Sequence, residues 1–595
     1  MGSGGGAAVG GTGGGGAVGG GATSAAGTAK VLVCATSGAS AGHGKTVRRL
    51  PPAAAAEASV AELTERKESM ERLTRSEGST ALAALAKRCQ TAGLLIDLLI
   101  TPSATNAFVD VASLMVLSSL TGGTLTHVPE VASPTAAAAA AASASPTAAA
   151  AGPLSGAARL RAAVRRAVCD VPAGSDAVFR LRTSPGLRAS RVLSACGEAH
   201  ENMVHLNAVH RHTTFAVELA HQAGAKTGAG GGSGVAKAGG DGGALLTAER
   251  AMVQSALLYT KPDGRRAIRV HTTPLRVVRD ASSLVRAVHP PALAAMQAKL
   301  ACDALRTAAA STVAEQAESS CASCVLAMRE LCPPPLRRLA EEMILTRPLE
   351  LLLLLTFATL KLPPLAARHG GGGALVPDAT AAAAARVLGL PAHEVNLMLV
   401  PRVHLIHLRN EGDGWIAAEA SPPAAKPPPP AADANADADA DAADAADAAA
   451  DAANAAADAE AADGAADGAA RAPPTRDVPT AAGVQISPAG VYVLDACDEL
   501  VVWVGQHASP AFLTALFGTA TPADGAPLQP VGRTDEASKL HALIDEARGA
   551  RSVDPPLRVI VQGSAEQWRF FSRLAGDGYE QFVMQLHAAR VKPKL

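Results

Sequence analysis

The stretch ALLYTKPDGRRAIRVHTTPLRVVRDASSLVRAV (256–288) decides how this chain is read. Apolar and polar residues alternate on both sides of KPDG, whose proline and glycine suit a tight turn, so the spacing predicts a β-hairpin that runs into a helix. Upstream, VFRLRTS, RASRVLSA, TTFAVELA and VQSALLYT alternate in the same way. A period of two with short turns predicts an antiparallel β-sandwich over 154–280, entered by the basic helix ARLRAAVRRAV.

Working outward, 29–153 reads as a partial α/β domain with an Ala-rich insert. KVLVCAT is a strand, 60–92 an amphipathic helix, GLLIDLLIT (93–101) a buried strand, DVASLMVLSSLTGG a helix stopped by its glycine pair, and TLTHV a third strand. Strand, helix, strand, helix, strand is the order of a parallel sheet. Only about 100 residues are available, so that sheet is either small or lacks its first half. Downstream, 281–420 reads as helical throughout, with stops at the PPPL and LPPL sequences. Residues 481–595 give GVYVLDACDELVVWVG as two strands about a turn, then helices, the strand LRVIVQG and the closing helix YEQFVMQLHAAR. The fold class expected is multidomain α+β. Residues 1–28, about 131–153, about 223–243 and 421–480 are Gly-, Ala-, Pro- or Asp-biased and read as a tail and linkers.

The chain has 595 residues, 48 % of them hydrophobic but only 3 % aromatic, so alanine in the biased tracts inflates the apolar count. Its net charge of −1 divides into −11 between Asp433 and Asp467, where no basic residue stands, and +10 elsewhere. The overall balance removes the simplest argument for nucleic-acid binding, while a basic body suits anionic lipid or acidic peptides. Nine scattered cysteines do not form a secreted disulfide framework and point to reduced thiols in the cytosol. The most apolar stretch, 349–362, is broken by Glu350 and Lys361 and falls short of the ~20 residues a membrane span needs.

Enzymatic motifs fail on spacing. SGASAGHGKT follows a strand, but a phosphate loop ending at Gly44-Lys45-Thr46 needs glycine where Ala39 stands. Cys321 and Cys324 have CxxC spacing and Cys332 follows, yet the second pair of a zinc site is missing, so buried thiols on a helix are expected. His200, His205, His210 and His212 cluster in sequence, and surface histidines rather than a ligand set are expected. No nucleophile–base arrangement stands in a recognisable frame, and no enzyme is expected. What remains is arginine: Arg159, Arg161, Arg165 and Arg166 on one helix, and Arg180, Arg182, Arg188 and Arg191 at the start of the β block, a candidate basic binding surface.

The stretch 256–288 resembles the signature of the cargo-binding subunit of the inner COPII vesicle coat. GVYVLDACDELVVWVGQHASPAFLTALFG (490–518) resembles that family's gelsolin-like hairpin, and FRLRTSPGLRASRVLSACG (179–197) the strand entering its sandwich. GLLIDLLITPSATNAFVDVASLMVLSSLTGGTLTHVP is similar to the last part of its von Willebrand A-like trunk, and RFFSRLAGDGYEQFVMQLHAAR to its closing helices. The resemblance implies a partial trunk, a sandwich, a helical domain and a gelsolin-like domain. It implies a cytoplasmic, non-enzymatic adaptor, peripheral on endoplasmic reticulum exit sites and COPII vesicles. The partners it implies are a GTPase-activating coat subunit, a small GTPase, outer coat proteins, an anionic membrane surface, and sorting signals of cargo and membrane-fusion proteins. The family's four-cysteine zinc finger and the first half of its trunk are not found, so no cofactor and an N-terminally shortened chain are expected. Two rivals are kept: the GTPase-activating sister subunit, with Arg569 as its arginine finger, and a gelsolin-like actin- or calcium-binding protein, with Asp495, Asp498 and Glu499 as calcium ligands.

Overall fold

The computed structural model describes residues 29–39, 41–42, 45, 75, 78–102, 108–128, 156–200, 202–221, 250–278, 280–331, 347–365, 377–412, 414–416, 475–478, 486–549, 551, 555–574 and 579–591. The N-terminal part is a parallel sheet of β1 (Ala29–Ala35), β2 (Leu94–Ile100) and β3 (Leu125–His127), in that order, with α1 (Ser79–Thr91) and α2 (Val111–Thr121) as crossovers. The remainder of the expected helix 60–92 lies outside the described residues. β2 is buried from Leu95 to Ile100, which is why its sequence is a continuous apolar run rather than an alternation. Its one carboxylate, Asp97, is held by Lys30 Nζ at 2.7 Å and accepts from the Thr124 N–H at 2.7 Å and hydroxyl at 3.0 Å. The glycine pair works as expected. Gly122 closes α2 at φ +78°, and a Cβ on Gly123 would lie 2.0 Å from the Ile96 carbonyl oxygen, so only glycine lets β3 start against β2.

After α3 (Gly156–Cys169) comes the sandwich, built of β4 (Gly174–Thr183), β5 (Leu187–Leu193), β6 (Glu198–His200), β7 (Met203–Val209), β8 (Ala216–His221), β9 (Arg250–Thr260) and β10 (Arg266–Arg276). One sheet has the order β10-β9-β4-β7-β6 and the other is the pair β5-β8. All pairings are antiparallel. The hairpin read from 256–288 pairs from Arg250↔Arg276 to Thr260↔Arg266, and Gly264 turns it at φ +82°. Phe179, Leu181, Val204 and Leu206 face Val192, Phe215 and Val217 across the two layers. β10 is a terminal strand, with Ile268 64 % and Val270 47 % exposed.

The helical block comprises α4 (Ala281–Arg286), α5 (Pro290–Ala304), α6 (Ala310–Leu331), α7 (Arg347–Leu360), α8 (Pro377–Gly389) and α9 (Ala392–Leu399). Its alanines, among them Ala294, Ala298 and Ala381, share one core with Leu98 and Ile100 of the first sheet and Leu117 of α2. Two buried charges fasten that joint. Asp378 of α8 accepts the N–H groups of Val109 and Val111 at 2.5 and 2.8 Å, capping α2 from a distant element, and burial raises its carboxyl pKa. Lys299 of α5 donates to the carbonyls of Leu388 and Leu390 at 2.8 and 2.7 Å, at the negative end of α8, and burial lowers its ammonium to about 8.

The expectation that 281–420 is helical throughout needs correction at its end. Residues 402–408 form β11 (Arg402–Leu408), part of the C-terminal sheet β12-β11-β13-β14-β15, with β12 (Arg476–Val478), β13 (Gly490–Asp495), β14 (Leu500–Val504) and β15 (Leu557–Val561). The reason is packing: Val403 and Leu405 face one apolar layer and Ile406 the other, as a strand covered on both sides requires. α10 (Pro510–Phe517) and α11 (Asp535–Gly549) cover one face through Phe512, Leu516, Leu540 and Ile544. α12 (Gln567–Arg573) covers the other, with Phe570 stacked on Trp503. The closing helix α13 (Tyr579–Val591) leaves this module and packs Phe582 and Leu586 on Leu353, Phe357 and Leu360 of the helical block. No helix among the described residues is long and apolar enough to cross a membrane.

Candidate functional site

Where β3, α3, the end of β7, α8 and the C-terminal module meet, they enclose a cavity of about 360 Å³. Three guanidiniums reach its wall from three elements: Arg166 of α3, Arg386 of α8 and Arg548 of α11. Two carboxylates also line it. Asp170 lies with its Oδ2 3.3 Å from Nδ1 of His210, whose Nε2 is 3.1 Å from the Gly122 carbonyl oxygen. The hydrogen bond from His210 holds the Asp170 carboxyl below the usual carboxylate range, against the opposing effect of burial. Asp498 accepts from Arg573 at 2.9 Å and has Arg386 at 4.0 Å. The Asp498 charge in turn raises Arg573. His212 is pushed down by burial and then by Arg211, whose Nε donates to it at 2.7 Å. Arg548 is oriented by the Pro555 carbonyl, 3.3 Å from Nη2.

The eight arginines singled out in the sequence fall on separate surfaces. Arg159 lies in α3, with its side chain outside the described residues, while Arg161 and Arg165 are exposed and Arg166 is half-buried in the cavity wall. Arg180 and Arg182 alternate with buried Phe179 and Leu181, so they stand on the outer face of the five-stranded sheet. Arg188 and Arg191 are exposed on β5 in the opposite layer, and Arg191 reaches Asp303 of α5 at 3.9 Å. The histidines also separate. His200 and His205 sit on β6 and β7, their rings 6.1 Å apart, whereas His210 and His212 reach the cavity. Among the described residues no group of three or more metal-capable side chains forms. Cys321 and Cys324 lie on α6, where burial raises both thiols, Cys321 to about 11; Cys332 is outside the described residues. Most of the stretch after Ala39 tested for a phosphate loop is also outside them.

The carboxylates offered for calcium are committed to arginine. Asp495 pairs with Arg551, Asp498 with Arg573, and Glu499 with Arg558. An ion there would have to displace three guanidiniums, so the calcium reading falls. Arg569 packs over Trp568 at 5.2 Å and stands 3.4 Å from Glu566, a local pair along one helix.

The five-against-two sandwich, flanked by a parallel sheet, an all-helical block and a C-terminal α/β module, defines a class. Residues 174–278 match the model of the Sec23/Sec24 beta-sandwich domain. The chain is 23 % identical over 517 residues to the Homo sapiens protein transport protein Sec24C, covering 85 % of this chain and 37 % of that protein. The crystal structure of the human COPII-coat protein Sec24c superposes with a TM-score of 0.63 at 21 % identity, over 94 % of this chain and 60 % of that one. The fold is therefore Sec24-like. The chain spans little more than a third of the length of the curated relative it matches.

Proposed function

We propose that this chain is a COPII coat subunit that selects cargo for vesicles travelling from the endoplasmic reticulum to the Golgi. The observation that carries the reading is the match of 174–278 to the Sec23/Sec24 beta-sandwich domain inside a chain whose whole order of layers is Sec24-like. In this reading the three-stranded parallel sheet is the last part of a von Willebrand A-like trunk and the C-terminal module is gelsolin-like. The chain acts as an adaptor rather than an enzyme, peripheral on exit sites. It pairs with the GTPase-activating subunit, meets the small GTPase and outer coat proteins, and reads sorting signals of cargo and fusion proteins. Arg161 and Arg165 on α3 and, on a separate surface, Arg180 and Arg182 of the sandwich are the proposed basic patches toward anionic lipid, where each cation contributes ~1 kcal/mol. The sister-subunit and actin/calcium readings gain nothing from the local pairing of Arg569 or from carboxylates already paired with arginine.

The test is co-expression with the GTPase-activating coat subunit from the same source, followed by gel filtration. A stable equimolar complex is the expected result. A folded chain that elutes alone beside its folded partner overturns the reading.

A further inference from the structure

We propose that the β6–β7 hairpin binds monovalent copper, held between the imidazoles of His200 and His205 with the thioether of Met203 as third donor. The site goes beyond the cargo-selecting reading and does not rest on it.

The register sets the donors out. Glu198 pairs with His205, and His200 with Met203. Residues paired across an antiparallel ladder share a face, as do residues two apart on one strand, so these four side chains stand at the corners of one patch. His200 and His205 occupy a diagonal of it, their ring centres 6.1 Å apart. An ion midway would lie about 3 Å from each centre, the reach of a metal–nitrogen bond of ~2.0–2.1 Å plus the step from nitrogen to ring centre. Both histidines are exposed, and Met203 is half-buried beside them. Among the described residues neither imidazole has a hydrogen-bond or ion-pair partner, so no such bond is broken when the ring nitrogens turn inward.

Donor chemistry and charge choose the ion. Imidazole, thiol and carboxylate donors alone do not reach three among the described residues, and Glu198, on the other diagonal, is paired with Lys87 at 3.4 Å. The third donor is a thioether, and two imidazoles with one soft sulfur suit Cu(I) better than the harder divalent ions. Arg180 pairs with Met203 from the far side and so shares its face. With Lys87 it outweighs the Glu198 carboxylate, so a divalent ion meets twice the repulsion that a monovalent one does. β6 is a terminal strand of three residues, and copper across the diagonal would fasten it to β7.

The experiment uses the full chain, its accessible thiols capped with iodoacetamide in native buffer, and Cu(I) delivered under argon as its bicinchoninate complex. Transfer of one equivalent to the chain is expected, with affinity at least about tenfold lower in His200→Asn/His205→Asn and lowered also in Met203→Leu. Because both imidazoles must be neutral to bind, affinity should fall as pH drops below about 6.5. X-ray absorption of the loaded wild-type chain should show nitrogen neighbours with one sulfur, a reading that needs no variant to fold. Amide exchange in β6 should slow on loading. Equal uptake by wild type and the double-histidine variant, equal affinity of Met203→Leu, a shell of sulfur neighbours only, or Zn(II) bound as tightly as Cu(I) would each overturn the proposal.

Discussion

Lys299 is a positive charge placed in a core of alanine and leucine, 3 % exposed, and satisfied only by two carbonyls at the end of α8. Its folded pKa of about 8 lies below the ordinary lysine value of 10.5, so between those values the unfolded chain holds the extra proton. Stability then rises with pH through that window, by about 3 kcal/mol for this group. Cys302, one turn along, has the opposite sign. Burial lifts its thiol to about 12, and its contribution is lost as pH climbs from 9. The two nearly cancel above pH 9, so the lysine is isolated by difference. Urea unfolding of wild type and Lys299→Met should show a gap that changes in favour of wild type from pH 8 to 10, and a constant gap would refute the assignment. Asp378 is a second test at this scale. Asp378→Ala leaves two buried N–H groups at the head of α2 without an acceptor, and a loss of about 2–4 kcal/mol is expected in the same assay.

The element most exposed to misadventure is β10. It ends its sheet, and Ile268 and Val270 both reach solvent on its outer face. A flat apolar edge invites pairing with another chain, and a lysine on that edge discourages it. Ile268→Lys should therefore lower concentration-dependent association in sedimentation velocity without moving the thermal midpoint. At β3 the constraint is steric: Gly123→Ala drives a methyl into the Ile96 carbonyl, and a loss of more than about 2 kcal/mol is expected in thermal unfolding. The strands β4, β5 and β8, whose exposed positions carry polar side chains, are legible in the sequence because alternation is the direct imprint of a half-buried sheet. β7 is not, since Asn207 is buried to donate to the Leu94 and Thr121 carbonyls and His205 sits between apolar neighbours, which blurs the pattern. β11 is hidden among helices because its pairing partner, β13, is some eighty residues away in sequence.

At the scale of the molecule the order of layers is readable from the sequence and the cavity is not. Arg166, Arg386 and Arg548 belong to elements nearly four hundred residues apart, and no local period records that they converge. The same long-range closure governs α13, whose Tyr579 and Phe582 both pack on Phe357 of the helical block. Phe582→Ala should lower stability by about 3 kcal/mol and, because the helix bridges two parts of the chain, split one thermal transition into two in calorimetry. A single unbroken transition would argue that the bridge does not couple them.

That bridge also sets a timetable. Residues enter the folding environment in order of synthesis, at ~5–20 per second, and segments made first fold first. The hollow on α6 and α7 that receives Phe582 and Leu586 is complete in sequence by Leu360, yet the helix that fills it is made only after the C-terminal module. Throughout the synthesis of the C-terminal module the nascent chain must carry that apolar hollow uncovered. The newborn chain is therefore a natural client for chaperones that shield greasy surface, and its release from them is timed by the arrival of α13.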